Sequence, residues 1–336
     1  MQGKRIMIVG YRQVRLEPFD LATDALGPSE VVIRTKVSLL SGGTEGARFL
    51  GLPIPGRAPT PYPYGTGYAS VGEVVAVGGE HAGVQPGDVV YTMSPHASIA
   101  RVDTARQLCL KVPASLPLDE AVFVRLITVP MTSLRISSAR IGDRAAVVGL
   151  GLVGNLGAQL LLNAGMEVTG VDLLPTRREL AQRCGILHTI DPREEGAIRP
   201  VHRLVLEASG TARGAVTAIA LAQLGGEVFL VGTPWTPDPS VSAREILEPV
   251  HVRYVTLRSG WEWQLPVQDG RDQPNAIHQP GSIHQSTLVA FDLLRRGKIR
   301  VRELITHRFS PEECQRAYEG AVDRKDEQLG VIFQWE

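Results

Sequence analysis

The chain has 336 residues, 43% of them hydrophobic and 21% charged, which suits about two globular domains and excludes a disordered or fibrous chain. Lys+Arg and Asp+Glu balance at 35 each, so no global field favours nucleic acid or an anionic membrane as a partner. Cys109, Cys184 and Cys314 lie far apart without a CxxC spacing, which argues against a disulfide framework and for a reducing compartment. The first residues, MQGKRIMIVG, lack the apolar core of a signal peptide, and no run reaches the ~18 apolar residues of a membrane span. A cytoplasmic setting is the expectation.

Residues 1–118 carry short apolar or alternating runs: Arg5–Val9, Val31–Val37, Gly72–Val77 and Val89–Met93. Turns such as Leu26-Gly27-Pro28 and Gln85-Pro86-Gly87-Asp88 separate them, so a β-rich, partly closed domain is expected. The stretch Gly51–Gly67 holds Pro53, Pro55, Pro59, Pro61 and Pro63, which stiffen it as a wall, a lid or simply an exposed loop. From Asp119 the runs lengthen, and Leu118–Arg140 reads as two helical pieces interrupted at Pro130.

The stretch Arg144–Asp172 is the most informative. A strand, Ala145–Val148, meets Gly149-Leu150-Gly151-Leu152-Val153-Gly154, a helical run follows, and a second strand, Val168–Val171, ends on Asp172, 18 residues after the third glycine. Gly149 permits the tight turn, Gly151 lets the backbone approach a pyrophosphate, and Gly154 allows close helix–strand packing. The helix N-terminus adds free N–H groups for the phosphates, and Asp172 can accept both hydroxyls of an adenosine ribose. The reading is a dinucleotide site, with a tight structural turn as the alternative.

The alternation continues through helix Pro175–Cys184, strands Leu187–Ile190 and Arg203–Ala208, helix Ala212–Leu224 and strand Glu227–Gly232. This implies a parallel sheet with right-handed crossovers. Arg253–Leu257 reads as a last strand and Trp261–His284 as a long irregular insertion. Helix Ser286–Arg296, strand Glu303–Phe309, a helix capped by Ser310-Pro311-Glu312-Glu313 and strand Gln328–Trp335 complete the chain.

With these pieces in place the chain resembles the medium-chain dehydrogenase/reductase superfamily of the alcohol dehydrogenase type over essentially its whole length. The landmarks are Gly72-Glu73-Val74-Val75-Ala76-Val77-Gly78, Gly87-Asp88-Val89-Val90, the glycine turn, Glu207-Ala208-Ser209-Gly210, Gly225-Gly226-Glu227-Val228 and the tail from Leu294 to Trp335. The resemblance implies an α/β chain: a GroES-like β-rich catalytic domain (1–125), a Rossmann doubly wound parallel-sheet domain (126–290) and a C-terminal return (291–336) completing the first. It also implies a homodimer joined through the last Rossmann strand, Arg253–Leu257. As further cofactor contacts it carries over Thr128, Leu152, Val153, Ser209 and Gly232, beside Gly149, Gly151, Gly154 and Asp172.

The chain departs from the zinc enzymes of that superfamily. Their Cys-Gly-(Ser/Thr)-Asp segment reads Gly42-Gly43-Thr44-Glu45, their Gly-His-Glu segment reads Gly67-Tyr68-Ala69, and the third ligand falls near Val124. Between Gly87 and Pro113 there is one cysteine, Cys109, in place of a four-cysteine loop. Both zinc sites are expected to be empty, since such sites need about four ligands together. The pattern Ser41–Glu45, Tyr62-Pro63 and Gly67–Gly72 looks like a zinc-less branch that includes the hydroxyethyl bacteriochlorophyllide dehydrogenases.

Asp172 favours NAD(H) over NADP(H), because a carboxylate repels a 2′-phosphate. The resemblance gives Arg177 a contact to the adenosine ribose, whereas Arg178 reads as solvated. Without zinc, another group must polarise a carbonyl and pass a proton. Thr44 matches the family's proton-relay hydroxyl, or is a cap or turn threonine. Tyr68 takes the place of a histidine ligand, as acid or as packed aromatic. His96 falls at a pocket-lining position, with a role in proton transfer, and Arg125 beside the lost third ligand, binding an anionic oxygen or pairing with Glu45. Glu45 itself is expected to be structural. His278 and His284 read as surface histidines, Trp261 and Trp263 as pocket or interface packing. The leading expectation is a zinc-independent, NAD(H)-dependent oxidoreductase for an alcohol/carbonyl pair of a small-molecule substrate. A C=C reductase of the quinone or enoyl type and a non-catalytic NAD(H) sensor are the alternatives.

Overall fold

The structure, a computed structural model, describes residues 1–54, 56–80, 83–268 and 281–335 and divides into two units, 1–125 with 305–336 and 126–304. The return to the first unit therefore starts at Ile305, whereas the sequence suggested residue 291. The reason is that helix Ile283–Arg295 and the segment after it stay with the second unit: the Asn163 and Gln159 amides donate to the carbonyls of Lys298 and Arg300.

In the first unit the chain runs β1 (Gln2–Gly10), β2 (Gln13–Asp20), β3 (Glu30–Leu40), α1 (Thr44–Phe49), β4 (Tyr64–Gly65), β5 (Ser70–Val77), β6 (Val89–Thr92), β7 (Ile99–Asp103), β8 (Cys109–Lys111) and α2 (Leu118–Ala121). The second unit continues with α3 (Val124–Ile136), β9 (Arg144–Val148), α4 (Leu152–Asn163), β10 (Glu167–Val171), α5 (Pro175–Arg183), β11 (His188–Ile190), β12 (His202–Glu207), α6 (Ala212–Leu221), β13 (Ala222–Leu230), α7 (Ala243–Val252), β14 (Thr256–Ser259) and α8 (Ile283–Arg295). The chain closes the first unit with β15 (Ile305–Phe309), α9 (Cys314–Asp323) and β16 (Gly330–Gln334).

β3 is the organising strand of the first unit. It pairs antiparallel with β5, β7 and β16 in a sheet ordered β15-β16-β3-β5-β6-β8, and its buried positions come from both faces. A three-stranded sheet, β2-β1-β4, lies apart from it. One core cluster joins Ile6, Ile8 and Phe49 to Phe309, Tyr318, Phe333 and Trp335, so chain ends more than 300 residues apart share one apolar interior. Residues 56–63 are exposed, which is the plain-loop reading of the proline stretch.

The second unit is built on a six-stranded parallel sheet, β11-β10-β9-β12-β13-β14. β9, with four consecutive buried residues, shows the continuous apolar run of a strand covered on both faces. The order reverses between β9 and β12, the position at which open parallel sheets bind ligands beyond their carboxyl ends. This is the GroES-like plus Rossmann architecture of medium-chain dehydrogenases.

Three local expectations need correction. Pro130 does not interrupt a helix; it lies inside α3, and the break falls at Val122–Phe123. Gly157 of α4 faces the Pro130 ring, where an added Cβ would come within 3.1 Å, so the ring is accommodated by a neighbour without a side chain. Helix α6 stops at Leu221 rather than Leu224, because Ala222 already pairs with His202 in the sheet. The last strand is Thr256–Ser259, not Arg253–Leu257: Arg253 caps α7, whose capping box of Ser242 and Glu245 went unread in the sequence. Trp261 and Trp263 are 54% and 47% exposed in the single chain. Of the irregular insertion, residues 269–280, with His278, lie outside the described residues. Among the described residues no helix is long and apolar enough to cross a membrane.

Candidate functional site

The glycine turn is shaped by contacts that admit no side chain. Gly149 has φ +89°, and a Cβ there would sit 2.6 Å from the Ser209 backbone nitrogen. At Gly154 a Cβ would fall 1.8 Å from the Gly149 carbonyl oxygen, so the third glycine lets α4 seat against the turn. Gly151, the N-cap of α4, differs: the nearest atom to an added Cβ is Arg177 Nη1 at 3.4 Å. Space is thus kept open at the second glycine and closed at the other two. Leu152 and Val153 form the first turn of α4, and no side chain caps its N–H groups. A phosphate there would meet free donors and the positive end of the helix. The residues present therefore fit a dinucleotide.

Asp172 follows the last residue of β10 and is half-buried. Its Oδ2 accepts the Leu150 N–H at 2.7 Å and its Oδ1 accepts the Leu174 N–H at 2.9 Å, which fixes the carboxylate beside the glycine turn. Each oxygen keeps a lone-pair direction for a further donor. Arg178 is not a solvated residue: it donates to the Asp172 carbonyl at 2.6 Å and pairs with Asp191. Arg193 hydrogen bonds hold Asp191 well below the usual carboxylate range. Arg177 stands beside the glycine turn, its Nη1 3.4 Å from where a Cβ on Gly151 would lie.

On the next strand ends, Glu207 is buried at the close of β12. Its carboxylate accepts from the Ser209 N–H at 2.8 Å, the Ser209 hydroxyl and the Gly210 N–H, while its carbonyl accepts from the N–H groups of Val231 and Gly232 at 2.8 Å each. The hydroxyl of exposed Ser209 is thus turned to the Glu207 carboxylate, and Gly232 packs on Gly210, where a Cβ would meet the backbone nitrogen at 2.6 Å. Thr128 is buried on α3, its carbonyl accepting the Thr132 hydroxyl.

The first unit gathers a second group of residues. Thr44 is the first residue of α1, after N-cap Gly43, so it is not the cap itself. The hydroxyls of Ser41 and Thr44 lie beside the Tyr68 phenol, and the Arg125 guanidinium stands 5.0 Å from the centre of the Tyr68 ring. Burial pushes the phenol above its ordinary pKa, against a downward pull from Arg125 and the two hydroxyls. Ser41 is the member sequence reasoning overlooked; its place three residues before Thr44 at the start of a helix was the available signal.

His96 belongs elsewhere. It is completely buried, its Nδ1 is 2.8 Å from Ser38 Oγ, its Nε2 is 3.1 Å from Glu45 Oε2, and its ring stands edge-on to Phe333. Both nitrogens are committed, so the pocket-lining, proton-transfer role expected for His96 is corrected to a structural one. The reason is Glu45: its Oε2 also accepts from the Tyr318 hydroxyl at 2.7 Å and the Thr66 hydroxyl at 2.5 Å, and its Oε1 from the Ser41 N–H. Glu45 is accordingly committed to these four partners rather than to Arg125. Burial alone raises its pKa, but the His96 charge and the donated hydrogen bonds outweigh this and hold the carboxyl below its ordinary value.

Gly42, Tyr68 and Val124 supply no soft or charged ligand where the zinc relatives carry one, so these residues do not fit a catalytic zinc. No group of three His, Cys, Asp or Glu able to hold a metal occurs among the described residues. His284 donates its N–H to the Val267 carbonyl near the start of α8.

Comparison with known proteins bears on the fold and on the oxidoreductase reading. Residues 153–266 match the family model described as zinc-binding dehydrogenase. An uncharacterised zinc-type alcohol dehydrogenase-like protein of Haemophilus influenzae is 27% identical over 140 residues, 39% of this chain and 41% of that protein. Sorbitol dehydrogenase of Bacillus subtilis is 23% identical over 80% of each chain, and D-guloside 3-dehydrogenase of Shigella flexneri 23% over 92% of this chain and 94% of its own. The crystal structure of 2R,3R-butanediol dehydrogenase from Bacillus subtilis superposes with a TM-score of 0.79 at 20% identity, covering 99% of this chain and 100% of that one. In sequence and in fold the chain is similar to the zinc-type, medium-chain alcohol dehydrogenases.

Proposed function

We propose that the chain is a zinc-independent, NAD(H)-dependent oxidoreductase acting on an alcohol/carbonyl pair. The observation that carries the reading is the glycine turn with Asp172 locked beside it: two glycines forced by contact, a third kept open, an uncapped helix start and a fixed carboxylate. When bound, the nicotinamide cofactor supplies or accepts a hydride. Gly149, Gly151, Leu152, Val153 and Gly154 would hold its pyrophosphate, Asp172 and Arg177 its adenosine ribose, and Thr128, Ser209 and Gly232 its other half. The relatives named for sorbitol and D-guloside support a hydroxylated small molecule as substrate class. A reading as a nucleotide sensor has no support from those relatives, which are named as enzymes.

In this reading the substrate's proton is handled by hydroxyls rather than by a metal-bound oxygen. The Tyr68 phenol stays protonated at neutral pH, so it can donate to a carbonyl oxygen as negative charge develops there. Thr44 and Ser41 can pass the replacement proton, and the positive charge of Arg125, over the Tyr68 ring, favours negative charge on the phenol. A homodimer through the outer edge of β14 completes the proposal: among the described residues β14 pairs only with β13 and ends the sheet.

The test is a titration of the purified protein with NADH and NADPH by fluorescence. NADH should bind at least about tenfold more tightly, and Asp172→Gly should narrow that gap by about 1–2 kcal/mol, the scale of charged hydrogen bonds to ribose hydroxyls. An unchanged preference removes Asp172 from the role. The same preparation should hold well under one zinc per chain after dialysis, and stoichiometric zinc would refute metal independence.

A further inference from the structure

Glu207 is a buried carboxylate, 1% exposed, and no ion pair to it occurs among the described residues. Such a group is costly unless its oxygens are satisfied. Here they are satisfied almost wholly by one loop: Oε1 accepts from Ser209 N–H, Ser209 hydroxyl and Gly210 N–H, with Oε2 at 3.3 Å from the last of these. The main-chain carbonyl of the same residue takes both Val231 and Gly232 N–H groups. One residue therefore ties the loop after β12 to the loop after β13.

The clasp is packed without slack. A Cβ on Gly214 would lie 2.7 Å from Glu207 Oε1 and one on Gly232 3.2 Å from Oε2, while Gly149 presses on Ser209 from the turn after β9. Three strand-end loops thus share one centre. In a doubly wound sheet the two halves of a dinucleotide lie on either side of the order reversal. Asp172 directly follows β10 on one side; Glu207 ends β12 on the other.

We propose that Glu207 is a positioning residue for the non-adenosine half of the cofactor: it holds the Ser209–Gly210 and Val231–Gly232 backbone in the shape that receives that half. The proposal rests on the dinucleotide reading above. It goes beyond the glycine turn because it makes the two halves of the site separable.

The experiment measures NADH affinity by fluorescence and ADP affinity by calorimetry on wild type, Glu207→Met, Glu207→Gln and Gly232→Ala. Methionine fills the volume and offers no acceptor to the three donors, so NADH affinity should fall about tenfold or more while ADP affinity stays within about twofold. Glutamine keeps one oxygen where Oε1 now serves the loop, so Glu207→Gln should recover NADH affinity to within about threefold of wild type. Gly232→Ala attacks the clasp from the other loop and should show the same split between NADH and ADP, which covers the case in which Glu207→Met does not fold. Equal losses for NADH and ADP, no loss for either, or a glutamine variant no better than methionine would each overturn the positioning role. A wild-type protein that binds ADP and NADH not at all would instead overturn the dinucleotide reading, and this proposal with it.

Discussion

Removing the Glu45 carboxylate should cost the first unit a large share of its stability. In Glu45→Ala the Tyr318 and Thr66 hydroxyls, the His96 ring and the Ser41 N–H all lose their acceptor in a site that water does not reach. Each stranded buried donor costs about 1–3 kcal/mol. These terms overlap, so the expected loss is about 4–5 kcal/mol, a large share of the ~5–15 kcal/mol by which domains are stable. Glu45→Gln should lose about 2 kcal/mol, because its amide nitrogen turns a donor toward the Ser41 N–H. Trp335 is the natural reporter: its indole N–H donates to Ser38 Oγ at 2.9 Å, on the far side of His96. With Trp235, Trp261 and Trp263 changed to Phe, denaturant unfolding followed by fluorescence reads the first unit alone. The pH dependence has a definite sign. A carboxyl whose folded pKa lies below its unfolded value of about 4.3 contributes in full above that value and loses the contribution as pH falls through the folded one. The gap between wild type and Glu45→Gln should therefore shrink as pH falls through the acid range. A loss under about 1 kcal/mol for Glu45→Ala, or a gap that widens below pH 4, would refute the reasoning.

Gly154→Ala places a methyl 1.8 Å from a backbone oxygen, so it should cost about 2–3 kcal/mol in the second unit and abolish NADH binding; thermal unfolding and titration check both. Tyr68→Phe should lower turnover about a hundredfold and leave NADH affinity within about twofold, since the phenol is proposed to act on substrate; loss of binding with unchanged turnover would rule it out. Sedimentation should give a mass twice that of one chain, and a monomer at micromolar concentration would exclude pairing through β14.

What could be read in advance was local. The turn Gly149–Gly154, the strand before it and Asp172 lie within thirty residues, and backbone sterics and ribose chemistry act over that span. Hydrophobic period likewise located β3, β5 and β9. The errors arose where a distant partner decides. Pro130 looks like a break until Gly157 is known to face its ring. His96 looks like a proton carrier until Glu45, Ser38 and Phe333 are seen around it, and Tyr318 reaches the same carboxylate from 273 residues away. Glu207 was noticed as part of a landmark, Glu207–Gly210, but its carboxylate folds back on its own loop, which no spacing announces. The α7 capping box was legible from Ser242 and Glu245 and was obscured by Pro249 inside the helix.

The split first unit has a consequence for synthesis. Its interior needs Phe309, Tyr318, Phe333 and Trp335 beside Ile6 and Phe49, yet residues 126–304 are translated in between. On the ribosome the second unit can finish while the first waits with β1, β3 and the buried acid Glu45 unsealed. The folded insert then works as a tether: it shortens the effective loop across which the tail must return, a saving that grows only logarithmically with the length removed. Emergence of residues 305–335, rather than of the first hundred, is the event that closes the first unit.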